Sequence, residues 1–314
     1  MRVFISLASY KDKHLLFTLQ NAWKKSTHRA NVFFAVVDQG DADQRRLIGE
    51  LPFARQVRYV HIDHRDSLGV CWARNLAFSL YDGEDYFLQV DSHTCFEQGW
   101  DAKLIEQHAQ LMTESDKPVI STYPKGFVFD DNGLPSYQPC SGRFAMVLRP
   151  QAEVSLTEQS AVLRFRCRYV PSDKPLIGCH VAAGFIFSAG NFIEEVPYDP
   201  YLYFHGEEQS LAVRAYTRGW DIYHPTTVPL YHLYKKRAEG EAPTHWSEDE
   251  QRAFDYSTLQ RRNEERLIRL FYGDGMPGSI YGLGNARTLD DYIAMSGIDY
   301  RNRLVHDAEA VKPG

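Results

Sequence analysis

The chain has 314 residues, 44% hydrophobic and 24% charged, the balance of a folded globular protein with ample length for one large or two medium domains. Thirty-five basic against 41 acidic residues leave a net charge of −6 with histidine neutral, which disfavours a nucleic-acid or anionic-membrane partner. Five cysteines without a CxxC pair argue against a disulfide framework or a thiolate zinc site and fit a reducing, cytoplasmic setting. No apolar run approaches the roughly 20 residues of a membrane helix.

In chain order, the first half alternates short β-type runs with helical spacing. Val3–Ala8 predicts a strand, Lys13–Lys25 a helix, and Asn31–Val37 a second strand ending in the turn cluster Asp38-Gln39-Gly40-Asp41. Val57–Ile62 is a strand, Gly69–Tyr81 a helix, Tyr86–Val90 a strand, Asp101–Met112 a helix and Val119–Tyr123 a strand. Apolar strands without alternation, separated by helices, predict a mainly parallel sheet covered on both faces, with ligands bound beyond the strands' carboxyl ends.

The second half is less regular. Pro124–Gly142, rich in Gly, Pro, Asp and Ser, reads as a long loop. Phe144–Leu148, Ala161–Val170 and His180–Ser188 read as strands, the middle one alternating as antiparallel strands do. Glu207–Thr217 is a helix; Ser247 with Glu250 forms a capping box opening another towards Phe271. Thr288 with Asp291 opens a last helix, closed by Gly297. Gly273–Gly284, with five glycines, reads as a flexible connection. The expected organisation is a core over residues 1–240 and a C-terminal helical extension over 241–314.

Three segments carry chemistry. In Tyr86-Phe-Leu-Gln-Val-Asp91-Ser-His93 a strand ends in an acid and a histidine on one side, about 6.5–7 Å apart, so both can meet one cation. A carboxylate with an imidazole suits Mn²⁺, with zinc as competitor; the plain structural alternative is a turn after a buried strand. In Phe204-His-Gly-Glu207-Glu208-Gln-Ser-Leu-Ala212 two acids open a helix, either to complement its dipole or to accept hydrogen bonds from ligand hydroxyls. In Pro229-Leu-Tyr-His232-Leu-Tyr-Lys235-Lys-Arg237 a histidine precedes three cations, as a third metal ligand beside a phosphate-neutralising patch would; a solvated charge run is the alternative.

Together with Phe4-Ile-Ser-Leu-Ala-Ser-Tyr10, Gly69-Val-Cys-Trp-Ala-Arg74, Arg287-Thr-Leu-Asp-Asp-Tyr292 and Gly297-Ile-Asp-Tyr300, these segments resemble a group of N-acetylglucosaminyltransferases. Its members are related to the cytoplasmic enzyme that modifies hydroxyproline on the Skp subunit of a ubiquitin ligase. A more distant likeness is to polypeptide N-acetylgalactosaminyltransferases. The resemblance implies a GT-A fold, an α/β architecture with a small antiparallel portion, and a UDP-sugar donor, UDP-GlcNAc first and UDP-GalNAc or another UDP-hexose next. It implies a divalent metal, Mn²⁺ before Mg²⁺, and transfer with retention to a protein or glycan hydroxyl. Residue by residue, it puts the metal at Asp91, His93 and His232. Ser9, Tyr10, Asp38, Arg74, Gly184 and Lys235 then fall around the donor, with Glu207 and Glu208 beside its sugar. Two readings from other classes compete: a non-catalytic carbohydrate-binding protein on the same fold, and a metal hydrolase. The intact Asp91, His93 and His232 speak against the first, and the lack of HExxH or a multi-histidine cluster against the second.

Overall fold

The computed structural model describes residues 1–151, 155–234, 253 and 255–306. The first half follows β1 (Val3–Tyr10), α1 (Leu15–Lys25), β2 (Val32–Gly40), α2 (Arg45–Gly49), β3 (Val57–Asp63), α3 (Val70–Phe78), β4 (Tyr86–Asp91), β5 (Thr94–Phe96), α4 (Trp100–Leu111) and β6 (Pro118–Ser121). Then come β7 (Phe127–Phe129), β8 (Pro135–Tyr137), β9 (Phe144–Pro150), β10 (Phe165–Pro171), β11 (Leu176–Gly178), β12 (Phe185–Ala189), α5 (Phe192–Glu195), α6 (Glu207–Thr217), β13 (Asp221–His224), β14 (Leu230–His232), α7 (Tyr256–Phe271) and α8 (Leu289–Ser296).

Among the described residues the main sheet has eight strands in the order β11-β13-β6-β12-β4-β1-β2-β3. Strands β1 to β4 are mutually parallel and β6 pairs parallel with β13, whereas β12 runs against both of its neighbours, β4 and β6. The fold is therefore α/β, with a mostly parallel sheet and a small antiparallel portion, as the sequence predicts.

Alternation along each strand divides the core into two layers. Val3, Ile5 and Leu7 of β1 with Phe34 and Val36 of β2 pack against Leu15, Leu19, Trp100 and Leu104 of α1 and α4. Phe4, Ala35 and Val37 face the other way, onto a core shared with α3, α6, α7 and α8 through Ala77, Leu211, Leu267 and Tyr292. The C-terminal helices thus bury their apolar faces on the same core as the sheet. The boundary expected at residue 240 lies outside the described residues.

Several expectations are corrected. His180–Ser188 is not one strand: Phe185 N donates to Ala182 O at 2.9 Å, a tight turn before β12 starts. The strand expected over Ala161–Val170 begins only at Phe165. Pro124–Gly142 contains an antiparallel hairpin, β7 with β8, whose turn Asp130 organises by accepting from Asn132 N and Leu134 N. Its aromatic residues Phe127 and Tyr137 pack with Phe17 and Tyr231, which a reading of composition alone does not show. Helix α7 opens at Asp255, whose carboxylate accepts from Ser257 N and Thr258 N; Ser247 and Glu250 lie outside the described residues. The capping box of Thr288 and Asp291 and the Gly297 C-cap form as predicted.

Gly273–Gly284 has no helix or strand, but it is tied down. Arg218 donates to Ile280 O and Gly282 O, both at 2.9 Å, and Gly284 N donates to Thr217 Oγ1. A Cβ on Gly282 would lie 2.1 Å from Met276 O, and one on Gly284 2.4 Å from Thr217 O. These two glycines allow close backbone approach rather than looseness.

Candidate active site

The carboxyl ends of the parallel strands converge on a cleft of about 370 Å³. Ala8, Ser9 and Tyr10 line it from the end of β1, Gln39 from β2, and Asp91 with Ser92 and His93 from β4 and its turn. Because β12 is reversed, its beginning lies level with the end of β4, Phe185 opposite Val90, and the preceding Ala183-Gly184 reaches the cleft floor. A Cβ on Gly184 would stand 3.0 Å from Asp91 Oδ2, so a side chain there would crowd that carboxylate. Glu207 and Glu208 enter from the first turn of α6, where the helix dipole favours acids.

A second, small ribbon supplies the remaining histidine. Strand β14 pairs antiparallel with β5, His232 opposite Thr94, and Leu233 N donates to His93 O at 3.0 Å. The outcome is a three-residue centre. His93 Nε2 lies 3.0 Å from His232 Nε2, which lies 3.1 Å from Asp91 Oδ2. The three ligand atoms fall within 4.8 Å of one another, one oxygen and two imidazole nitrogens with the spacing to hold a divalent ion.

Charges around this centre are cross-linked. Arg74, buried on α3, donates to Glu207 Oε1 at 2.7 Å and to Asp91 Oδ1 at 2.9 Å. Arg74, expected around the donor, lines the cleft with its guanidinium held between these two carboxylates. Burial works to raise the Asp91 carboxyl, yet the hydrogen bond with His232 and the Arg74 charge hold it well below the usual carboxylate range. Burial pushes the Glu207 carboxyl up against the opposing pull of Arg74. Glu207 also accepts from the Cys71 thiol at 3.3 Å and is only 7% exposed.

Glu208 differs. Its side chain is 26% exposed, and it accepts from Ala183 N at 2.7 Å and Tyr123 OH at 3.1 Å. Of the two adjacent acids, Glu207 is tied into the wall and Glu208 faces the cleft.

Nine of the residues expected at the site thus share one cleft: Ser9, Tyr10, Arg74, Gly184, Asp91, His93, Glu207, Glu208 and His232. Asp38 does not line it. Its Oδ2 accepts from Gln44 Nε2 at 3.1 Å and Tyr59 OH at 2.9 Å, and burial raises its carboxyl. The neighbouring Gln39 lines the cleft instead, held by Ser67 Oγ at 2.6 Å, as alternation along a strand requires. Lys235 and Arg237 lie outside the described residues. Asp12, which sequence reading passed over, lines the cleft and touches Ser92 and His93. Set between Lys11 and Lys13, it reads from sequence as a solvated charge.

The fold is that of the GT-A glycosyltransferases. The crystal structure of GalNAc-T7 with UDP, GalNAc and Mn²⁺ matches at a TM-score of 0.60 and 14% identity, covering 94% of this chain and 55% of that one. At that identity the likeness establishes the fold alone, and this chain spans about half the length of that protein. Residues 1–349 of S. aureus TarS (TM-score 0.46, 14% identity, 88% and 74% covered) and a Pyrobaculum calidifontis mannosyltransferase with GDP-Man and Mn²⁺ (0.47, 12%, 83% and 69%) are more distant. No curated protein matches the sequence. The family model described as Glycosyltransferase (GlcNAc) matches residues 44–302, and the chain belongs to that family. Among the described residues no helix is long and apolar enough to cross a membrane.

Proposed function

We propose that this glycosyltransferase moves N-acetylglucosamine from UDP-GlcNAc to an acceptor hydroxyl, with a divalent metal and with retention at the anomeric carbon. The observation that carries the reading is the convergence of Asp91, His93 and His232 in the cleft that also presents Glu208. The family description supports GlcNAc as the sugar; GalNAc-T7 holds UDP and Mn²⁺, as the reading calls for, with GalNAc as its sugar.

In this reading Asp91, His93 and His232 hold Mn²⁺. Bound there, the ion supplies Lewis-acid neutralisation of the leaving diphosphate. Ser9, Tyr10 and Gln39 surround the nucleoside end. Glu208 accepts hydrogen bonds from sugar hydroxyls, while Glu207 keeps Arg74 in place and through it Asp91.

A retaining glycosidase carries out its double displacement with two carboxylates about 5–5.5 Å apart across the scissile bond. Glu207 is engaged by Arg74 and Cys71, and the adjacent position on a helix points about 100° away. Front-face attack fits better. The bond from the sugar carbon to the phosphate oxygen breaks as the acceptor oxygen bonds from the same face, and a β-phosphate oxygen takes the acceptor proton. The acceptor class we favour is a protein hydroxyproline or a glycan hydroxyl.

The test is a UDP-sugar panel with purified protein and Mn²⁺, followed by proton NMR of the anomeric coupling in the product. The expected result is turnover of UDP-GlcNAc to an α-linked product, abolished by excess EDTA. A preference for UDP-GalNAc would replace the donor, a β-linkage would overturn the mechanism, and full activity in EDTA would overturn the metal.

A further inference from the structure

The two histidines of the centre are held differently. His232 packs on the Tyr234 ring at 4.4 Å between centroids, and its buried Nδ1 has no hydrogen-bond partner among the described residues. His93 Nδ1 instead lies 2.5 Å from Asp12 Oδ2, on a carboxylate only 6% exposed. The same oxygen accepts from Ser92 Oγ at 2.8 Å, while Oδ1 accepts from His14 N at 2.9 Å. An N–H and an O–H already point at the two oxygens, so Asp12 acts as an acceptor towards His93 too. That places the imidazole proton on Nδ1 and leaves the Nε2 lone pair facing His232 and Asp91.

We infer that Asp12 is the positioning carboxylate of the metal centre: it fixes the tautomer and ring orientation of His93 and ties the loop after β1 to the ion. The inference rests on the reading of Asp91, His93 and His232 as metal ligands. Carboxylates behind a ligating histidine also raise its basicity, and their loss typically costs about 10–100-fold in metal affinity. The backbone around Asp12 is shaped for the task. Lys11 adopts a left-handed conformation, φ 48°, its N–H donates to Gln39 O at 3.0 Å, and its ammonium meets Asp41 at 3.2 Å. A non-glycine residue in that region is uncommon and persists where its surroundings over-determine it. The turn that lines the nucleoside end of the cleft therefore also delivers Asp12 to His93, so base-side and metal-side geometry share one strut.

An asparagine at position 12 cannot reproduce this. Its amide group either meets the His14 N–H donor against donor, or faces Ser92 and His93 and favours the His93 tautomer protonated on Nε2, which has no lone pair for a metal. The experiment is titration calorimetry of Mn²⁺ alone and of UDP alone into the wild type, Asp12→Asn, Asp12→Ala and His93→Ala, with thermal unfolding of each in EDTA. Both Asp12 variants should bind Mn²⁺ about 10–100-fold more weakly, with a clearly smaller loss of metal-free UDP affinity and a lowered unfolding temperature from the buried donors left unpaired. Wild-type Mn²⁺ affinity in both Asp12 variants, alongside loss in His93→Ala, would overturn the inference and leave the metal centre standing. A fold-loss of metal-free UDP affinity as large as that of Mn²⁺ affinity would also overturn it, reducing Asp12 to a structural role. Unaltered Mn²⁺ binding in His93→Ala would overturn the metal centre and the inference together.

Discussion

The buried polar side chains at the cleft and the buried His108 handle charge in opposite ways. At the cleft Arg74, Asp91 and Glu207 are ionisable, close together and cross-paired. On α4, His108 is buried edge-on against the rings of Tyr86 and Phe187, its Nε2 without a partner among the described residues, and burial lowers its pKa to about 4. The first group keeps charge in the protein by supplying opposite charge; the second keeps it out by remaining neutral. At the cleft, buried charge is offset by opposite charge, whereas His108 avoids that cost at neutral pH by staying uncharged.

Four measurements break or sharpen this contrast. Asp91→Asn should leave Arg74 paired with Glu207 but cut turnover at least a thousand-fold, about 4 kcal/mol of barrier; steady-state kinetics with Mn²⁺ checks it. Glu207→Ala should instead act on the fold. It removes a partner of a buried guanidinium, a change that costs about 3–5 kcal/mol when a buried pair is broken, at the lower end here because Asp91 remains. Urea unfolding reads this, and Glu208→Gln supplies the counter-case, with unfolding nearly unchanged and turnover lowered about 10–100-fold.

The neutral group predicts a pH effect. His108 has a folded pKa near 4 against 6.5 in the unfolded chain. Between those values the unfolded state binds the extra proton, so its contribution is whole above pH 6.5 and is lost as pH falls towards 4, by about 3 kcal/mol. His108→Gln should flatten that part of the stability–pH curve, and an unaltered slope would assign the acid sensitivity elsewhere. Smallest is a control that belongs to neither group. Asp255→Ala removes the N-cap of α7 and should lower resistance to unfolding slightly, with turnover intact.

The charged wall was partly legible in the sequence. Asp91 and His93 show themselves by ending an apolar strand, and Glu207 and Glu208 by opening a helix. The first four parallel strands could be read because burial on both faces demands unbroken apolar runs, and their predicted ends lie within three residues of those observed. The direction of β12 could not be read this way, since an apolar run looks the same whichever way it points. The role of Asp12 and the pairing of Arg74 were hidden for a different reason. Their partners lie 81 and 133 residues away, and no local spacing records such a pair. Gln39 was passed over in favour of Asp38, although strand alternation allows only one of two neighbours to face the cleft.

The ribbon of β5 and β14 has a consequence for how the molecule comes into being. Asp91 and His93 are made early in the chain, but His232 joins them from 141 and 139 residues further on. Closing so long a loop precedes any reward from the contacts it makes, so the third ligand arrives among the last pieces of structure. A nascent or broken chain ending before Leu230 holds the strands and two ligands without the third. On the proposed reading such a fragment would lack the finished centre, and with it any turnover of a nucleotide sugar.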